Sequence, residues 1–145
     1  MATGDVTIHN KFLAELAKGN IDLDGDTFRC YLLDGVEPNI DTSHFLSDVV
    51  ADEIALSGYT AGGVTLSSLL VTENDTNDRA EWDFANPTWA SIATGTITWA
   101  IIVHWTGSAA TSTIVCHIEV DDSNGQSYTV TIPATGIIHF QQAVA

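Results

Sequence analysis

The sequence predicts an all-β protein, an antiparallel β-sandwich or jelly-roll-like barrel with one short N-terminal helix. From residue 58 onward, strand-length apolar segments recur at short intervals, several alternate with a period of two, and glycine- or aspartate-containing turns separate them. Such spacing is typical of antiparallel sheets packed face to face. Because 145 residues fit one domain with a real core, we expect an N-terminal arm over 1–9 and a single β-sandwich domain over 10–145.

The first elements follow from local patterns. The segment NKFLAELAKGN places four apolar side chains on one helical face: Phe12, Leu13, Leu16 and Ala17. Asn10 suits the N-cap of this helix, and Gly19 suits its C-terminal stop. The next segment, TFRCYLLDG, alternates as a strand. Residues 44–56 contain β-branched side chains that weaken a helix, so we expect one helical turn within irregular structure there.

The long strand in GTITWAIIVHWTG is apolar on both faces. Alternation places four side chains on one face: Trp99, Ile101, Val103 and Trp105. It places another four on the opposite face: Thr98, Ala100, Ile102 and His104. A strand of this kind is either central between two layers or covered by a neighbouring subunit. The sequence therefore indicates assembly as one of two explanations.

The charge balance argues against two classes of partner. The formal net charge is −15, from 19 acidic residues against 4 Lys and Arg, which are scattered. Nucleic-acid backbones and anionic membrane surfaces would both repel such a chain. No basic segment followed by an apolar one opens the sequence, so we expect synthesis and assembly in a cytoplasm. Cys30 and Cys116 lie within apolar runs and are predicted to be buried free thiols, with a disulfide as the alternative.

Three alternating aspartates in GNIDLDGDTFRCYLLDG raise the possibility of a calcium loop. With Asp22 at position 1 of an EF-hand, Asp24 and Asp26 fall at positions 3 and 5. However, Thr27 then occupies the position that requires glycine, and Leu33 occupies the position of the bidentate carboxylate. The stretch fails as an EF-hand and is predicted to be a turn between helix and strand, with a weak cation site as the alternative.

Other candidate chemistry is weak. ENDTNDRAE and EVDDSNG gather carboxylates but also suit hairpin connections, with calcium binding as the alternative. His104 and His117 lie in strand-like runs, where a core or interface position is favoured over a metal pair. No serine elbow, phosphate loop or cysteine ligand spacing is present. We expect no catalytic residue, no cofactor and no metal, and therefore no enzyme.

The tryptophans offer a second class of function. The chain has four of them within a short region: Trp82, Trp89, Trp99 and Trp105. Exposed indoles on a sheet could stack on sugar rings, as in a carbohydrate-binding module. Indoles in a sandwich core would instead bury large apolar area, and the apolar neighbours of Trp99 and Trp105 favour the core. A hydrolase with an unmarked site is a third and weaker hypothesis.

Several motifs together resemble a family of small virion structural proteins of tailed bacteriophages. The similarity lies in Asp41–Asp48, in the GYTAGG turn within Gly58–Leu66, in Pro87–Trp89 and in Gly136–Ile137, and it extends over most of the chain. The GYTAGG turn is the most specific part. The chain departs from the pattern by ending its long strand in VHWTG, where the family pattern implies a more basic or polar end.

The resemblance implies a capsid decoration (cement) protein on the outer surface of the virion head, with the major capsid protein and further copies of itself as partners. A head-fibre, tail or adaptor role is the alternative within the family. The resemblance names no catalytic residue. For such a role the residues suggest five interface candidates: Val6, Ile8, Ile102, His104 and Trp105. The first two lie in MATGDVTIHN, which suits an arm that pairs with a neighbour.

Overall fold

The computed structural model describes residues 4–141. The start of the predicted arm, 1–3, and the end of the predicted domain, 142–145, lie outside the described residues. The main elements of the described part are ten strands and one α-helix, α1. Their bounds are β1 Val6–Ile8, α1 Asn10–Ala17, β2 Phe28–Leu33, β3 Val64–Thr65, β4 Leu70–Asn74, β5 Arg79–Asp83, β6 Thr88–Trp89, β7 Trp99–His104, β8 Thr113–Glu119, β9 Tyr128–Thr129 and β10 Ile138–Gln141.

The strands form three antiparallel sheets. The largest has the order β1-β8-β7-β2-β3, a second has the order β10-β5-β4, and β6 pairs with β9. The predicted all-β antiparallel fold with one short N-terminal helix is therefore confirmed. Val6–Ile8, within the predicted arm, form an edge strand that pairs with β8 of the same chain.

A single row of side chains crosses the five-stranded sheet. Ile8, Cys116, Ile102, Cys30 and Val64 lie opposite one another on successive strands. The row contributes to the main core, which helix α1 and the smaller sheets close. The large side chains that close it are Phe12, Trp82, Phe84, Trp89 and Ile138. Burial of these apolar groups is the main stabilising contribution to the fold.

The opposite face of the large sheet has a second, smaller core. It includes five strand residues: Tyr31, Leu33, Ile101, Val103 and Ile114. Leu46 and Val49 cover them; Leu46 lies in the 3₁₀ helix Leu46–Asp48, and Val49 joins that helix to a second one, Val50–Asp52. The two short helices confirm the helical structure predicted within 44–56. Both apolar faces of β7 are thus covered within one chain. Of the two explanations for this strand, the structure supports the central position.

Helix α1 ends where the sequence predicts, but it begins one residue earlier than predicted. The N–H groups of Gly19 and Asn20 donate to Leu16 and Glu15, and Gly19 has a φ of +77°, which together form a Schellman stop. The N-cap is His9 and not Asn10. Leu13, predicted on the buried face, is 45% exposed.

The GYTAGG turn combines two close backbone approaches with a polar anchor. Gly58 and Gly63 have positive φ, and a Cβ on Gly63 would overlap the carbonyl oxygen of Cys30. One Glu53 carboxylate oxygen accepts from the Tyr59 hydroxyl at 2.7 Å and from the Gly62 N–H at 2.7 Å. These contacts explain why the turn uses glycine and tyrosine where it does.

Candidate functional site

The aspartate-rich stretch after α1 is a backbone-bonded turn. Asp26 accepts from the backbone N–H of Asp22, and Asp22 accepts from the N–H of Gly25. A second contact joins Asp26 Oδ2 to His104 Nε2 at 3.0 Å. The predicted turn between helix and strand is confirmed. Two of the carboxylates are engaged in fixing the backbone.

The two acidic loops differ from each other. ENDTNDRAE is the β4–β5 hairpin, as predicted. EVDDSNG is not a hairpin, because β8 and β9 pair with other strands and belong to different sheets. In that loop Ser123 is buried and forms an antiparallel bridge with Gly95, while Asp122 accepts from the N–H of Ile97. Among residues 4–141, no three His, Cys, Asp or Glu side chains could together hold a metal ion.

The five interface candidates do not form one surface. Ile102 is fully buried in the main core, so it cannot contact a partner. Val6 and Ile8 are partly buried against that core from edge strand β1, and β8 separates them from β7. His104 is bonded to an aspartate, and Trp105 packs on the second core beneath the guanidinium of an arginine, 5.0 Å from its ring centre. The sequence could not reveal this separation because strand order is not local.

None of the four tryptophans is exposed. Trp82 and Trp89 are buried, and Trp99 and Trp105 are partly buried against the second core. The Trp82 indole N–H donates to the carbonyl of Leu23 at 2.8 Å. The carbohydrate-binding hypothesis expects solvent-exposed indoles, and with two indoles buried and two partly buried the structure gives it no support.

The most open apolar strand is β4, which lies at the edge of the three-stranded sheet. Within residues 4–141 only β5 pairs with it. Four of its five residues are exposed, including Leu70 at 56% and Val71 at 39%. An edge strand presents backbone N–H and C=O groups that can bind a further strand. The apolar run could be recognised in the sequence, but its edge position could not.

A line of hydrogen bonds joins two buried histidines to the loop after β2. His9 Nδ1 lies 2.9 Å from the Ser43 carbonyl oxygen, and His9 Nε2 lies 2.9 Å from His117 Nδ1. His117 Nε2 lies 3.1 Å from Glu37 Oε1. Both rings are buried, whereas the Glu37 side chain is 49% exposed. Sequence analysis considered His117 but missed its partners, which are 80 and 108 residues away in the chain.

Burial determines the protonation of this pair. Burial lowers the pKa of His9 from 6.5 to about 4, although the hydrogen bond to Ser43 acts in the opposite direction. Burial also lowers the pKa of His117, and the Glu37 carboxylate opposes that shift. Because the pair is walled in by protein, it is poorly placed to meet a substrate. We regard it as a structural feature of the fold.

Comparisons with known proteins give no further guidance. No family model, curated protein or solved structure matches this chain. Within the described residues, no helix has the length and apolar character needed to cross a bilayer.

Proposed function

We propose that this chain is a structural protein of a tailed-bacteriophage virion, and specifically a decoration protein that binds the outer surface of the head and stabilises it. The observation that carries this proposal is the exposed edge strand β4 on a rigid β scaffold. The motif resemblance supports the same class. A protein that acts by covering surface needs an accessible edge and a well-packed core.

Strand β4 has two chemically different ends. Leu70 and Val71 are apolar and exposed, whereas Glu73 and the hairpin residues Asp75 and Asp78 are acidic. A matching partner is an extended segment of a capsid protein with apolar residues at one end and Lys or Arg at the other. Such a segment would add to the sheet through backbone hydrogen bonds, with side chains setting the specificity.

The net charge of −15 supports a position on the outside of the shell. An acidic protein is repelled by packaged DNA, and this repulsion would keep it off nucleic acid during assembly. Repulsion between like charges also disfavours pairing of two β4 strands, from two copies of the chain, through their acidic ends. A basic or neutral shell surface is the better partner.

A head-binding experiment tests the proposal. Purified protein is mixed with expanded heads of the phage that encodes it, and sedimentation and the heat-disruption temperature are measured. We expect binding and a higher disruption temperature. Failure to bind any shell of that phage would contradict the proposal.

A matched pair of variants tests the surface. Leu70→Glu should weaken binding at least about tenfold, because it places a charge in the proposed contact. Leu13→Glu makes the same change at the exposed Leu13 on α1 and should bind normally. Equal binding by both variants would exclude β4 as the contact.

The copy number of the protein in purified virions tests its location. Hundreds of copies indicate the shell, whereas about a dozen indicate the neck or tail and contradict a decoration role.

A further inference from the structure

The hydrogen-bonded line from Ser43 to Glu37 has one more contact than two neutral histidines can satisfy. Its two end groups, a carbonyl and an ionised carboxylate, can only accept. Three contacts join the four groups, and each needs one proton. Two neutral imidazoles supply two protons, so the complete line contains one imidazolium.

Loss of that proton breaks a particular contact. In the neutral line one contact must bring two acceptors together, which is unfavourable when buried. His9 and His117 are both buried, and they keep the inner contacts because water cannot replace them. Glu37 is half-exposed and can exchange its contact for water. The contact between Glu37 and His117 is therefore the one that opens.

We propose that His9, His117 and Glu37 form a proton-operated latch, in which one additional proton, carried on His117 Nε2, binds Glu37 to β8 and its loss releases Glu37 to solvent. The segment around Glu37 is anchored before and after it. Gly35 donates to Thr98 Oγ1 at 3.0 Å, and the Asn39 N–H donates to Ser43 Oγ at 3.1 Å. Val36 and Glu37 are exposed, whereas Pro38 is buried. Opening therefore moves residues 36 and 37 and leaves the flanking loop in place.

The groups packed around the latch are compatible with a single proton. On α1, Lys11 pairs with Glu15 at 2.9 Å. In the loop and the first 3₁₀ helix, Asp41 accepts from Asn10, and Asp48 accepts from backbone N–H groups. From β7, the uncharged Trp99 ring stands edge-on to His117 at 5.3 Å.

A second proton is opposed by charge. Once His117 is an imidazolium, its charge acts against protonation of His9, and a charge on His44 acts in the same direction. Glu37 is the single carboxylate in the line and neutralises one imidazolium. The latch therefore closes with one proton rather than two.

Ring nitrogen NMR of the whole protein between pH 4.5 and 8 tests this directly. We expect His117 Nε2 to carry a proton at the acid end and to lose it with a midpoint below pH 6.5, while His117 Nδ1 stays protonated. The heteronuclear NOE of residues 36 and 37 should fall with the same midpoint as the segment becomes mobile. A constant NOE, or an Nε2 that never gains a proton above pH 4.5, would overturn the latch.

Glu37→Gln is the informative variant, because a carboxamide can donate to a neutral His117. We expect it to keep residues 36 and 37 ordered at every pH, and to lower the pH at which the pair gains its proton, so that the protonated fraction at pH 5.5 falls severalfold. Glu73→Gln removes the same charge from exposed β4 and should titrate as the parent does. A Glu37→Gln protein with the parent midpoint and the parent loss of order would contradict the proposal. Binding to heads plays no part in these measurements.

Discussion

Cys30 and Cys116 lie on either side of Ile102 in one row across the large sheet, two strand spacings apart. That separation is about 9.5 Å between Cα atoms, whereas a disulfide needs about 4.4–6.8 Å. Both residues are buried free thiols, as the sequence predicted. The middle strand β7 therefore keeps them apart for as long as the sheet is intact.

The first prediction is that both thiols are inert in the folded protein. Burial raises the pKa of Cys116 to about 12 and raises the pKa of Cys30 further, so neither forms appreciable thiolate at pH 8. A thiol-specific chromogenic reagent at pH 8 should label neither cysteine in buffer and both in concentrated urea. Rapid labelling of one thiol under native conditions would show that the sheet opens there.

The second prediction concerns the GYTAGG turn. Gly63→Ala should lower the free energy of unfolding by more than Gly107→Ala, because both glycines have positive φ but only Gly63 lies against backbone, at the Cys30 carbonyl. For Gly107→Ala we expect the conformational cost alone, about 1–2 kcal/mol. Urea unfolding of both variants checks the difference. Equal losses would mean that the turn shifts to make room.

Local sequence patterns predicted the burial of the two cysteines and the end of the helix, but not which distant strands pair. The strand period placed Cys30 and Cys116 in the core, and the Gly19 stop was recognisable because caps are local. The contact between His9 and His117 was not recognisable in the sequence, because it depends on β1 pairing with β8 in one register. Pairing between distant strands is set by the packing of the whole sheet, and no local pattern records it. The edge position of β4 was hidden for the same reason.

The third prediction concerns Trp82, which is fully buried between Phe28 and Phe84. Trp82→Phe removes the hydrogen bond to the Leu23 carbonyl and leaves a small cavity. We expect a loss of about 2–4 kcal/mol in the free energy of unfolding. Trp105→Phe, at a partly exposed site, should cost no more than about 1 kcal/mol. Similar losses in the two variants, measured by urea unfolding, would contradict the assigned role of the Leu23 contact.

The last prediction follows from the low pKa of His9. The folded-state value is about 4 against an ordinary value of 6.5. Between these values the unfolded chain binds more protons than the folded chain, so stability is present above pH 6.5 and falls as the pH decreases towards 4. From pH 7 to pH 5 we expect His9 to account for a loss of about 2 kcal/mol. The pKa of His117 is lowered as well, so it acts in the same direction.

Urea unfolding at pH 7 and pH 5 measures this loss, and two histidine variants assign it. His9→Gln should reduce the difference between the two pH values by about 2 kcal/mol, whatever its effect on stability at pH 7. His139→Gln, at an exposed ring bonded to the Thr135 carbonyl, should keep the parent difference. A parent-like difference in His9→Gln would show that other groups cause the acid sensitivity. Because the folded chain binds the latch proton less tightly than the unfolded chain does, acid should close the latch and at the same time lower the free energy of unfolding.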